Sequence, residues 1–144
     1  YDLMDPQAGN IDGAGRRNFN NIGVSSPEFR ANLGLAWQND IHAANIFLRY
    51  ISSYDDDQNC ADGTANVGGC SGGYYEVDSH LTVDAQYNID LGGLYDTEQS
   101  YVLTLGAINM FDEEPPQLFT NSGFDSKVHD PRGRQIYARL AIEF

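Results

Sequence analysis

An all-β chain, folded as an antiparallel up-and-down meander of about five strands, follows from three features of the sequence. Apolar and polar residues alternate with period 2 in several segments, Gly, Asn, Asp and Pro clusters separate those segments, and helical periodicity is scarce. Residues 29–39 supply the first strand, with Phe29, Ala31, Leu33, Leu35 and Trp37 opposed to Arg30, Asn32, Gly34, Ala36 and Gln38. Asn39-Asp40 then reads as a two-residue hairpin connection. Residues 41–54 give a second, less cleanly two-faced strand with Ala44, Ile46, Leu48 and Tyr50 in phase. The clearest strand is 81–91, where Leu81, Val83, Ala85, Tyr87, Ile89 and Leu91 face away from Thr82, Asp84, Gln86, Asn88 and Asp90. Gly92-Gly93 opens a short link to a fourth strand over 101–111, with Leu103, Leu105 and Ala107 in register. The last strand runs to the C-terminus, with Ile136, Ala138, Leu140, Ile142 and Phe144 against Tyr137, Arg139, Ala141 and Glu143.

The connections sort by length. Residues 2–28, 55–77 and 112–133 read as long loops and the other two links as short turns, so long and short alternate along the meander. Transmembrane barrels combine this asymmetry with an apolar outward face and a polar lumen, and the Arg, Asn, Gln, Thr and Asp of the wet faces suit such an interior. A soluble sandwich has no reason to sort its loops by end.

With 144 residues, 41% hydrophobic and 20% charged, the chain suits one domain spanning 1–144. Its net charge of -13, from 21 acidic and 8 basic side chains, would repel a phosphate backbone, so nucleic acid is not an expected partner. No stretch approaches the roughly 18 to 20 apolar residues of a membrane-spanning helix, whereas barrel strands need only about 9 to 11 alternating residues. The chain opens at Tyr1 without a charged and apolar leader, as expected of a processed product or an excised piece. Cys60 and Cys70 lie in a Gly, Asn and Asp-rich stretch with neither metal-site spacing nor a nearby His. A loop disulfide formed in an oxidising compartment is the simpler reading, with a pair of free thiols as the alternative.

No arrangement argues for catalysis, and no cofactor or metal is expected. Ser25, Ser26, His42, His80 and His129 are far apart, and no nucleophile elbow, zinc-binding helix or phosphate-cradling loop occurs. Asp55-Asp56-Asp57 and Glu113-Glu114 read as a solvated acidic rim rather than as acid/base pairs. Tyr74-Tyr75 would stack on a sugar or aromatic ligand, or serve as interfacial or loop anchors. Arg132 and Arg134 offer a cationic contact to an anionic ligand, against which stands bracing of the loop onto nearby carboxylates. Arg30, Arg49 and Arg139 are expected to pair with Asp84 or similar groups across the wall.

The last third of the chain carries two motifs in order: Leu105-Gly106-Ala107-Ile108-Asn109-Met110-Phe111-Asp112-Glu113-Glu114-Pro115-Pro116, and His129-Asp130-Pro131-Arg132-Gly133-Arg134-Gln135-Ile136-Tyr137-Ala138 before the terminal Phe144. Together with Leu48-Arg49-Tyr50, Ser53-Tyr54-Asp55-Asp56 and Val83-Asp84-Ala85-Gln86-Tyr87, they resemble the C-terminal end of TonB-dependent outer-membrane receptors. Met110 stands where that family usually has Leu, a volume-conserving swap. The resemblance implies the C-terminal segment of a roughly 22-stranded barrel whose plug domain and remaining strands are absent from this chain. It implies a place in the bacterial outer membrane and a receptor that binds and imports a scarce nutrient, such as a siderophore, vitamin or oligosaccharide. It further implies as partners the rest of the barrel and plug, TonB through the absent N-terminal part, outer-membrane lipid, and the barrel-assembly machinery. That machinery would read Ile136, Ala138, Leu140, Ile142 and Phe144. Ligand contacts would come from external loops, with Tyr74, Tyr75, Arg132 and Arg134 as candidates. The alternative of another class is a soluble extracellular β-sandwich that binds carbohydrate or calcium and buries the apolar faces between two sheets.

Overall fold

The computed structural model describes residues 2–5, 9–17, 25–56, 74–95, 99–120 and 122–143, with the backbone alone for 2–5 and 9–12. The chain is all-β: its helical structure among the described residues is a single turn. Ten strands run in the order β1 (Asp2–Asp5), β2 (Gly9–Asp12), β3 (Arg16–Arg17), β4 (Arg30–Asn39), β5 (His42–Ile51), β6 (Tyr54–Asp56), β7 (Tyr75–Val77), β8 (His80–Asp90), β9 (Ser100–Ile108) and β10 (Gln135–Glu143), with helix α1 (Leu91–Leu94) between β8 and β9.

The long strands form one five-stranded sheet ordered β10-β9-β8-β5-β4, so each pairs with the long strand next to it in sequence. β8 with β9 and β9 with β10 are antiparallel, in registers that run from Ala85 opposite Ala107 and from Ile136 opposite Ala107. β5 also runs against β8, because His42 at its start meets Tyr87 while Arg49 near its end meets Asp84. The hairpin between β4 and β5 turns at Asp40-Ile41, one residue later than the sequence suggests, with Asp40 in the left-handed region at φ 50. Two-residue hairpins favour that conformation, and Asp tolerates it. At the next turn the Asp90 carboxylate accepts the backbone N–H groups of Gly92 (2.9 Å) and Gly93 (3.3 Å), capping α1. Glycine at 92 is required by space, since a Cβ there would stand 2.3 Å from the Gln99 carbonyl oxygen.

The expected strand over 41–54 is two strands. Ser52 breaks it by donating its N–H to the Phe29 carbonyl (3.0 Å) and accepting the Phe29 N–H on its hydroxyl (3.1 Å). After the break, β6 joins a second sheet, β3-β6-β7, pairing parallel with β3 and antiparallel with β7. A third sheet pairs β1 with β2. Residues 2–28 and 55–77, expected as loops, therefore contribute five short strands; 112–133 is irregular, as expected.

Two compact units divide the chain. The first joins Tyr1–Arg30, Tyr50–His80 and Glu114–Pro131, close to the three segments read as long loops. Its core is Tyr54, Val77 and Leu118, with Tyr75 and Val128 packed on them. The second joins Ala31–Arg49, Leu81–Glu113 and Arg132–Phe144 and holds most of the five-stranded sheet. No helix among the described residues is long and apolar enough to cross a membrane.

Candidate functional site

Strand registers decide what each side of the large sheet carries. On one side Ile136, Ala107 and Ala85 form a row, followed by Ala138, Leu105 and Tyr87, then Leu140, Leu103 and Ile89. β4 and β5 extend it with Leu33, Leu35, Trp37, Ala44, Ile46 and Leu48, in phase with the alternation. This apolar side is not covered: Leu33 is 54% exposed, Trp37 53%, Leu140 56% and Ile136 79%. Four alanines, Ala44, Ala85, Ala107 and Ala138, help to line a shallow concavity of about 470 Å³ across β5, β8, β9 and β10. Trp37, His42, Tyr87 and Tyr101 gather toward the end marked by the Asp40 turn and α1. There the Tyr87 hydroxyl and His42 Nδ1 lie 2.5 Å apart, with their rings stacked at 5.9 Å.

The opposite side carries a polar network across β5, β8, β9 and β10, with Phe47 against Gly34 beside it. Tyr137 and Gln86 both stand in register with Gly106, and the Tyr137 hydroxyl reaches over that glycine to donate to Gln86 Oε1 at 3.0 Å. A Cβ at Gly106 would fall 2.2 Å from Tyr137 Cζ, so the glycine makes the crossing possible. One row on, Thr104 Oγ1 donates to Asn88 Oδ1 at 2.7 Å, and Gln86 Nε2 donates to the same oxygen at 3.2 Å. Arg49 holds Asp84 with both terminal nitrogens, the pairing expected for this arginine. Asp84 also accepts the Asn109 N–H at 3.0 Å.

The two motifs of the last third meet at a joint. Asn109 (φ 49) and Asp112 (φ 60) both take the left-handed conformation that Asn and Asp tolerate best among residues with a Cβ. Asn109 is buried and closes its turn from both ends: Oδ1 accepts the Glu113 N–H, and Nδ2 donates to the Glu113 carbonyl, each at 2.9 Å. Nδ2 also reaches the Arg132 carbonyl at 3.5 Å, and Asp112 Oδ1 accepts the Arg134 N–H at 2.7 Å. Arg132 and Arg134 thus brace the joint through their backbone, while their side chains are exposed.

In the first unit, Asp125 is a buried hub. It accepts from the Ser25 hydroxyl, the Tyr54 hydroxyl (3.5 Å) and the Lys127 N–H (3.0 Å), and Arg17 Nε stands 4.0 Å away. Arg17 also pairs with the fully buried Asp56 at 2.8 Å. Asp56 is therefore an internal ion-pair partner, which corrects the expectation of a solvated rim at 55–57. Glu113 and Glu114 are exposed as expected, and Asp57 lies outside the described residues. The three histidines are not all scattered: His80 and His129, both buried, lie with ring centroids 5.1 Å apart and planes tilted by 40°. Burial first, and then the His80 charge, lower the His129 pKa to about 4, while Asp125 acts in the opposite sense. Burial and the neighbouring Asp125 carboxylate raise that of the Tyr54 phenol.

This cluster lacks the geometry of a nucleophilic triad. Ser25 donates directly to Asp125, and neither ring nitrogen of His129 has a hydrogen-bond partner among the described residues, so His129 is not hydrogen-bonded to the serine as a triad requires. No group of three or more metal-ligating side chains occurs among the described residues. Of the loop aromatics, Tyr75 meets Phe119 edge-on at 4.9 Å and is an anchor, whereas Tyr74 is exposed. Cys60, Cys70 and Phe144 lie outside the described residues. Asn109 and Asp112 stand in the first motif of the sequence without a role that spacing assigns, and nothing local marks Asp125 or Arg17 as buried partners; the tolerance of Asn and Asp for left-handed turns is the one local signal. Comparison of the chain with family models, with curated proteins and with solved structures finds no match.

Proposed function

We propose that this chain forms part of the wall of a bacterial outer-membrane transport barrel of the TonB-dependent receptor class, which imports a scarce nutrient such as a siderophore, vitamin or oligosaccharide. The observation that carries the reading is the five-strand-wide apolar face, exposed while on the opposite face β5, β8, β9 and β10 are tied together by hydrogen bonds and an ion pair. In water a contiguous patch of this kind is a liability, because soluble monomers rarely expose more than a few hundred Å² of it. In a bilayer it is the surface that hydrocarbon requires, with polar side chains turned to a wet lumen and aromatic groups at the interface. A soluble sandwich would instead bury Leu33, Leu35 and Leu140 against a second sheet.

β4 and β10 are the outer strands of the sheet. Closing a barrel needs further strands on both, supplied with the plug and the TonB-coupling segment by the rest of the receptor. Lipid would cover the apolar face, and the alternating strand β10 would present the assembly signal. The contact between the Asn109 and Arg132 motifs supports the resemblance, since it gives a physical reason for the two to occur together.

The test is depth-resolved labelling. Single cysteines replace Leu33, Leu140, Asn32 and Arg139 in the full chain with Cys60 and Cys70 changed to serine, assembled in phospholipid vesicles and labelled with an environment-sensitive fluorophore. Quenchers attached to acyl chains should extinguish the labels at 33 and 140 and leave those at 32 and 139 to aqueous quenchers. A chain that stays monomeric without lipid or detergent and shields positions 33 and 140 from both quenchers would overturn the reading.

A further inference from the structure

We propose that His129, packed against His80 inside the first unit, is an acid-triggered latch whose protonation releases residues 114–131 from Tyr54 and Val77 and opens that unit. The inference does not rest on the transport reading. His129 is 5% exposed and His80 6%, with the His129 ring 5.1 Å from that of His80 and 6.2 Å from the nearly parallel Tyr54 ring. A charged imidazolium has two N–H donors to satisfy, and in this position neither nitrogen meets an acceptor among the described residues. Burying such a cation unpaired is costly, so proton uptake favours any state in which the ring reaches water.

The groups around the ring reinforce this. Tyr54 from β6 offers an aromatic face, and His80 from the start of β8 offers a second titratable imidazole. Arg30, at the start of β4, adds a repulsive positive charge. Asp125, four residues earlier in the same segment, is the attractive charge, but its oxygens already accept from Ser25, Tyr54 and the Lys127 amide. Arg17 neutralises Asp125 and Asp56 in turn. The same segment is held by the Val128 and His129 amides on the Asp125 carbonyl (3.1 and 2.9 Å) and by the packing of Leu118, so releasing the ring loosens the core.

The direction of the pH effect follows from the lowered pKa. A group whose folded pKa, about 4, lies below its ordinary 6.5 contributes stability above pH 6.5 and loses it as the pH falls through about 4. Linkage between those two values makes the open state roughly thirtyfold more populated at pH 5 than at pH 8.

The experiment is hydrogen exchange on the full chain in detergent, corrected for intrinsic rates, following peptides that cover 114–131 from pH 8 to pH 4.5. The wild type should show the roughly thirtyfold rise by pH 5, and H129Q should flatten it over the same window. An unchanged slope in H129Q would place the trigger on carboxylates such as Asp125 and overturn the proposal. Should H129Q not fold, NMR titration of the His129 ring in the wild type decides: a midpoint near 4 supports the latch, and one near 6.5 refutes it.

Discussion

Asp112 accepts the backbone N–H of Arg134 at 2.7 Å and so ties the turn that follows β9 to the chain entering β10. Because Asp112 also sits at φ 60, its side chain serves both the bond and the backbone conformation. Asp112→Ala should cost about 1–2 kcal/mol, from the lost charge-assisted bond and from Ala held in the left-handed region. Asp112→Asn, which keeps an acceptor and tolerates that φ, should recover more than half of the loss in urea unfolding of the full chain. Equal losses in the two variants would remove Asp112 from this role.

Gly106 and Tyr137 are a matched pair. Gly106→Ala should cost about 1–3 kcal/mol by overpacking against the ring, whereas Tyr137→Phe should cost only about 1 kcal/mol for its bond to Gln86. In a double-mutant cycle, Gly106→Ala should become nearly harmless in a Tyr137→Ala background. Additive losses would mean that the ring does not lie over the glycine.

The two faces of β10 should respond oppositely to charge. Leu140→Arg, on the apolar face, should lower the fraction of chain inserted into vesicles by an amount equivalent to about 2–4 kcal/mol, the cost of a cation near a bilayer midplane. The same assay on Arg139→Leu should change little, because residue 139 faces the polar side with Thr104. Insertion indifferent to Leu140→Arg would contradict the proposed lipid contact.

Tyr54 makes an alkaline prediction. Its folded pKa is raised above the usual 10, so its contribution is complete below pH 10 and is lost as the pH climbs beyond that value. Burial contributes most to the shift, with the adjacent Asp125 carboxylate second. Unfolding of the wild type should therefore steepen above pH 10, and Tyr54→Phe should remove that component. An identical alkaline limb in Tyr54→Phe would assign it to another group.

Arg17 neutralises two carboxylates buried in the first unit, Asp56 and Asp125. Arg17→Met keeps much of the stem but removes the charge, and it should destabilise the chain by about 3–5 kcal/mol, as expected when a buried ion pair loses one partner. A loss below about 0.5 kcal/mol, typical of a surface substitution, would refute the assignment of a buried pair.

The long strands were legible because each has its own period-2 pattern: 81–91 differs from the observed His80–Asp90 by one residue at each end. Local pattern fails where partners are remote. Tyr54–Asp56 is a strand only because Arg16–Arg17 and Tyr75–Val77 flank it, and three residues carry no periodicity. The approach of His80 to His129 and of Ser25 to Asp125 is likewise set by chain path, which spacing does not encode. The hairpin moved by one residue because Asp40, not Asn39, takes the positive φ, a choice open to either residue type.

Ser25 and Asp125 stand 100 positions apart yet share a hydrogen bond, and the unit that contains them draws on three separate stretches of polypeptide. Its interior therefore cannot mature until nearly all of the molecule is in place, which makes its closure a late, entropy-limited event dominated by non-local contacts. Neither unit is a continuous run of residues, so no single truncation isolates one, and a nascent product released before residue 125 would carry Tyr54 and Arg17 without the carboxylate that joins them.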